Sequence, residues 1–124
     1  MLKNGKYLFI LAFTLVNTAN AGLEKEINQQ IEIERKLNLS LKEAKAEADS
    51  AYRKVFEFYE DDPSNRGEKI RNLEESSSAW NNFIEKTCLF ESNESLGTRS
   101  ENTATLKCMT EKYRSKAQYY RNSI

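Results

Sequence analysis

The chain has 124 residues, enough for one small domain and too few for two independent cores. Nineteen Lys and Arg balance nineteen Asp and Glu, which leaves no basic excess for nucleic acid or an anionic membrane, and the absence of His removes the usual general base and the commonest neutral metal ligand. One Pro and four Gly in a chain that is 31% charged favour long helices over a turn-rich β architecture.

Lys3 and Lys6 form a basic start, residues 7–16 are apolar, and Ala19-Asn20-Ala21 places small residues at the two positions a signal peptidase reads. Residues 1–21 therefore read as a signal peptide and residues 22–124 as a single mature domain. The apolar run falls short of the ~20 residues that span a bilayer, so no stable membrane insertion is expected after cleavage. Loss of Lys3 and Lys6 leaves seventeen basic and nineteen acidic residues, a net charge of −2. The expected location is the periplasm or the cell exterior. In an oxidising compartment Cys88 and Cys108 are the available pair, and their disulfide closes a loop that contributes roughly 3 kcal/mol by chain entropy.

Apolar residues then recur at Leu23, Ile27, Ile31, Leu37, Leu41, Ala44, Ala48, Tyr52, Val55 and Tyr59, steps that form one helical face. Ser40 followed by Glu43 allows a capping box, so one long helix and two shorter ones both fit. The run Glu60-Asp61-Asp62-Pro63-Ser64-Asn65-Arg66-Gly67 ends the segment. A second helix is expected over residues 68–90, with Ile70, Leu73, Ser77, Trp80, Ile84 and Thr87 as its stripe, Phe83 beside it and Trp80 as packing anchor. Its three consecutive serines, Ser76, Ser77 and Ser78, read as room for close helix approach. Residues 91–102, rich in Ser and Asn around Gly97, read as a connecting loop. A third helix carries Leu106, Met109, Tyr113, Ala117 and Tyr120. The expected fold is all-α, a small three- to four-helix bundle with one disulfide between its last two helices.

The candidate chemistry is sparse. Asp61, Asp62, Glu74, Glu75 and Glu85 lie in polar sequence and read as a solvated face, not as an acid–base pair. Serines without a His partner are not credible nucleophiles, and no glycine-rich phosphate loop is present. Catalysis, a cofactor and a metal are not expected. Tyr52, Tyr59, Tyr113, Tyr119 and Tyr120 read as half-buried core, with a partner-binding aromatic patch as the alternative. Arg53, Arg99 and Arg114 are candidates to pair with a partner's carboxylates.

The second helix carries a more specific pattern. Leu73-Glu74-Glu75-Ser76-Ser77-Ser78-Ala79-Trp80-Asn81-Asn82-Phe83-Ile84-Glu85-Lys86-Thr87-Cys88 resembles the Leu-x-x-Ala-Gln-x-Ala-Trp-x-x-Phe-Arg-Asp-x-x-Cys signature of the LprI-type lysozyme inhibitor family. Leu37-Asn38 and Ala48-Asp49 resemble that family's Met-Asn and Ala-Asp pairs, and Tyr52 and Phe56 occupy its Leu and Tyr positions. Cys108-Met109-Thr110 with Arg114 resembles its closing Cys, Thr and Arg. The resemblance spans residues 37–121. It departs at Ser40, where the family places a cysteine of a second disulfide, and at Ile84-Glu85, where it places Arg-Asp. Asn38, Asp49, Leu73, Trp80, Phe83, Cys88, Cys108 and Arg114, the matched motif residues, read as scaffold.

The resemblance implies a binding protein whose partner is a lysozyme-like or other peptidoglycan-degrading enzyme. An immunity protein against an envelope-directed toxin, and an envelope adaptor docking through its first helix, are the alternatives. For contact with the partner protein, Glu94 and Arg99 in the 91–102 connector are the candidates, because the expected disulfide pins that connector at both ends.

Overall fold

A computed structural model describes the backbone of residues 2–124 and the side chains of residues 20–124, so the basic and apolar side chains read as a signal lie outside the described residues. The elements are α1 (Leu2–Glu60), α2 (Arg66–Glu91), a 3₁₀ turn (Ser92–Ser95) and α3 (Ser100–Arg121), with no strand among the described residues. The all-α expectation holds, and the Cys88–Cys108 disulfide joins α2 to α3 across a Cα–Cα distance of 5.6 Å. Among the described residues no helix is long and apolar enough to cross a membrane.

The chain divides into two compact units, residues 1–35 and 36–124. In the first, Arg35 pairs with Glu32 at 2.6 Å, one helical turn away. Leu23, Ile27 and Ile31, which the spacing places on one helical face, are exposed there. Their four-residue spacing sets a helix face, and spacing alone does not supply the surface that would cover it.

The second unit is a three-helix bundle built from residues 36–60 of α1 together with α2 and α3. Helix α1 runs through Asn38, Leu39 and Ser40 without a break, which settles the choice between one helix and two. Between Leu23 and Pro63 the sequence holds no Pro or Gly to break it. Past that proline the chain reverses. The Asp62 carboxylate accepts the Ser64 N–H at 2.9 Å and binds the Lys69 ammonium at 2.5 Å, which holds its carboxyl below the usual range. Asn65 adopts the left-handed conformation, φ 54°, which Asn tolerates better than most residues.

Ala44, Ala48, Ala51 and Val55 form the buried edge of α1, and the small alanines allow close approach of its neighbours. Ala48, Ala51 and Val55 cluster with Leu73, Ala117 and Tyr120, and Tyr52, Tyr59, Trp80 and Tyr113 pack against that cluster. Ile84 and Cys88 of α2 and Leu106 and Thr110 of α3 are buried nearer the disulfide.

Between these apolar regions lies a polar layer that periodicity did not reveal. Lys116 is 1% exposed, although it sits beside Ala117 on the inward face of α3. Its ammonium donates to Ser77 Oγ at 2.9 Å and to Asn81 Oδ1 at 2.8 Å, one turn apart on α2. Ser76 Oγ shares a 2.9 Å hydrogen bond with the Tyr120 hydroxyl. Ser76 and Ser77 are therefore hydrogen-bonding partners as well as small residues, whereas Ser78 is exposed. Burial pushes the Lys116 pKa down, and the nearby Asp49 charge opposes that shift in part.

Because the Lys116 pKa lies below its unfolded value of 10.5, the unfolded chain binds the extra proton between the two values, and stability rises with pH through that window. Burial raises the Tyr52, Tyr113 and Tyr120 pKa values, so their contribution is intact below about 10 and is lost as pH climbs through the folded values. Lys116→Met, which keeps the apolar stem, is expected to flatten the rise and leave the final decline. Lys116→Ala is expected to cost about 2–4 kcal/mol through the cavity and the two orphaned acceptors. Urea titrations between pH 7 and 11 followed by circular dichroism measure both effects, and an unchanged pH profile for Lys116→Met would contradict the assignment.

Candidate partner-binding site

The connection between α2 and α3 is more ordered than the loop expected over residues 91–102. The Ser92 N–H donates back to the Cys88 and Phe90 carbonyls as α2 ends. Ser92 is buried, and its hydroxyl donates to the Leu89 carbonyl at 3.2 Å. The backbone then tightens into the 3₁₀ turn, closed by the Leu96 N–H on the Asn93 carbonyl at 3.1 Å. Gly97 takes φ 77°, a conformation that costs glycine little and a side-chain-bearing residue more. Its N–H donates to the Glu101 carboxylate at 2.9 Å, and the Thr98 hydroxyl donates to the Ser95 carbonyl at 2.6 Å. Helix α3 starts at Ser100, so residues 100–102 belong to the helix.

The disulfide lies under this turn. Cys88 is fully buried and Cys108 half-buried. Glu91 stands beside them, its carboxylate 3.0 Å from Cys108 Sγ and 3.3 Å from the Lys112 ammonium, which adds a second tie between α2 and α3. A short segment with internal hydrogen bonds and covalent anchorage loses little conformational freedom when it docks.

Glu94 and Arg99 are both exposed on this connection, and neither forms an ion pair among the described residues. The sequence reading missed the apolar groups around them. Phe90 is 74% exposed and Leu96 68%, and Leu89 is also exposed. The available signal was large apolar residues at a helix end and inside a Ser- and Asn-rich connector, where no inward stripe claims them. The arrangement offers two apolar knobs and one charge of each sign on a pinned turn.

The remaining residues singled out from the sequence are dispersed. Leu73 is buried, Trp80 half-buried, and Asn38, Phe83 and Arg114 are exposed. Asp49 is also exposed, yet its charge reaches the buried Lys116 and the Tyr113 hydroxyl. Arg53 and the carboxylates Asp61, Glu74, Glu75 and Glu85 are exposed. Among the described residues no group of three or more His, Cys, Asp or Glu side chains is placed to hold a metal ion.

A family model described as lysozyme inhibitor LprI matches residues 22–119. The chain belongs to the LprI lysozyme inhibitor family. No curated protein and no solved structure matches it. Membership implies a protein partner such as a lysozyme and a location outside the cytoplasm, and the family is one of inhibitors, not catalysts. The LprI match runs through the disulfide, the 3₁₀ turn and the Lys116 layer.

Reducing the Cys88–Cys108 disulfide, or replacing both cysteines by Ser, is expected to destabilise this LprI domain by roughly 3 kcal/mol. The shift in urea midpoint between oxidised and reduced protein measures it. Amide exchange should quicken first at residues 92–98, and equal quickening throughout the bundle would show that the disulfide does not specifically hold the turn.

Proposed function

We propose that this protein is exported, loses residues 1–21, and acts as a 22–124 domain that blocks a lysozyme-like peptidoglycan hydrolase through its α2–α3 turn. Membership of the LprI lysozyme inhibitor family carries the reading. The family match beginning at Gly22, directly after the small-residue motif Ala19-Asn20-Ala21, supports the processing step.

The turn suits an enzyme cleft. Glycoside hydrolases commonly work with a pair of carboxylic side chains flanking the scissile bond. A guanidinium held at such a pair forms charge-assisted, often bidentate hydrogen bonds, and Arg99 is the group on the turn that does this. Glu94 engages basic residues on the rim of the cleft, and Leu96 and Phe90 fill apolar subsites on its wall. The net charge of −2 supplies little long-range steering toward a cationic enzyme. Affinity therefore rests on close contacts of the turn and on its preorganisation, which shows in the dissociation rate more than in the association rate.

Titration of the oxidised protein into lysozymes and other peptidoglycan hydrolases, with cell-wall turbidity as readout, is expected to give stoichiometric inhibition of at least one enzyme. Replacing Glu94 and Arg99 together by Ala should weaken inhibition about tenfold, and Leu96→Asp should weaken it further by placing a charge in an apolar subsite. All three residues are exposed, so helix content should stay unchanged. Undiminished inhibition by both variants would remove the turn from the contact surface, and an absence of inhibition across the enzymes would count against the hydrolase as partner.

A further inference from the structure

Away from the α2–α3 turn, α2 carries a concave surface. A groove of about 300 Å³ runs between the three helices and is lined by Tyr59, Asn72, Ser76, Tyr119 and Ser123 among others. It shares Ser76 with an adjoining hollow of about 330 Å³ walled by Trp80 and Phe83. Both volumes lie at the small end of the range for small-molecule sites. Trp80 bridges the two, its ring 5.6 Å from that of Tyr119 and 6.1 Å from that of Phe83. Tyr119 and Phe83 are about half exposed, so the rings present a broken aromatic ledge to solvent.

Apart from Lys69, the polar chemistry of the lining is uncharged. Lys69 is the one ionisable cation or carboxylate among the lining residues, and it is already engaged by Asp62 at 2.5 Å and lies over the Tyr59 ring, 5.5 Å from its centroid. The Asn72 carboxamide makes no hydrogen bond to another described residue, and Ser76 Oγ, bonded to the Tyr120 hydroxyl, keeps a free lone pair. A charged ligand finds no opposite charge to meet here. A purely apolar segment would bury the Asn72 amide without a partner, at a cost. A ligand matching this lining has apolar C–H faces for the rings and neutral hydroxyl and amide groups for Asn72 and Ser76, which is the chemistry of an N-acetylated amino-sugar chain.

We propose that this aromatic groove binds a neutral β-linked N-acetyl amino-sugar oligosaccharide, with its sugar faces on Trp80 and Tyr119 and its acetamido and hydroxyl groups on Asn72 and Ser76. The site is distinct from the α2–α3 turn and stands independently of the inhibitory reading. A protein carrying both surfaces would be retained on a glycan polymer while its turn remains free for another protein.

Trp80 is the single tryptophan of the chain, so its fluorescence reports on the site directly. The oxidised protein is titrated with the β-1,4-linked tetrasaccharide of N-acetylglucosamine and, for comparison, with the corresponding glucose tetrasaccharide, while amide NMR shifts map the response. The amino sugar is expected to give saturable changes centred on residues 72–83 and 119–123, with the glucose oligomer about tenfold weaker because it leaves the amide contact unmade. Tyr119→Ala and Asn72→Ala, both at exposed positions, should each weaken binding about tenfold with helix content unchanged, whereas Arg99→Ala should not alter it. The proposal is overturned by no saturable change up to about 10 mM, by unaltered affinity in both groove variants, or by equal affinity for the glucose oligomer. No hydrolase is present in the assay, so its failure leaves the inhibitor reading intact.

Discussion

The bundle depends on where one buried ammonium finds its hydrogen bonds. Lys116 lies among Ala117, Tyr120 and the alanine edge of α1, where an unpartnered cation would cost several kcal/mol. Ser77 and Asn81 stand one turn apart on α2 and each accepts a hydrogen bond from it. A slide of α3 along α2 by a turn would separate the ammonium from both acceptors, while the apolar contacts on either side would tolerate it better. The polar layer thus makes one register preferable to its neighbours. The disulfide obeys the same register: about two turns from Asn81 to Cys88 on α2 match about two turns from Lys116 back to Cys108 on α3. Ser76 and Tyr120 meet one step in the other direction.

That alignment has consequences at both ends of α2. Toward its C-terminus the disulfide and the Glu91–Lys112 pair hold a turn whose backbone is largely satisfied within itself, leaving Phe90, Glu94, Leu96 and Arg99 outward. Toward its N-terminus the Ser76–Tyr120 bond fixes Tyr120 against Tyr52, and Tyr119 beside it comes within reach of Trp80. Two surfaces of different chemistry, one a pinned projection and one a shallow aromatic hollow, therefore rest on one helix pairing.

The core that supports them is modest. Its α1 edge is mainly alanine, and Val55, Ile84 and Tyr120 are the large apolar residues that are completely covered. Small domains of this kind gain proportionately more from a covalent tie than large ones, because a limited apolar area leaves a narrow margin over chain entropy. With two cysteines in the sequence, Cys88–Cys108 is the one internal disulfide the chain can form, which puts further weight on it and on the Lys116 layer.

The amino-acid sequence by itself determined the helical faces, the break between Glu60 and Gly67, the inward residues of α2 and α3 and the family, because each is encoded in local spacing, and it determined the disulfide because it holds two cysteines. Apolar steps of three and four residues define a face, and the distance from Trp80 to Cys88 spans two turns of one helix. What covers a face is a property of its neighbours, and there the tertiary structure decided. The same stripe is exposed at Ile27 and buried at Ala48. Residues 91–102 read as a loop because Ser and Asn dominate them, and the 3₁₀ turn depends on hydrogen bonds that composition does not specify. The residue type of Lys116 gave no sign of burial, since lysine is nearly always solvated, although its place between Tyr113 and Tyr120 on the α3 stripe was one. Only α2, arriving with Ser77 and Asn81 at the right height, made its burial tolerable.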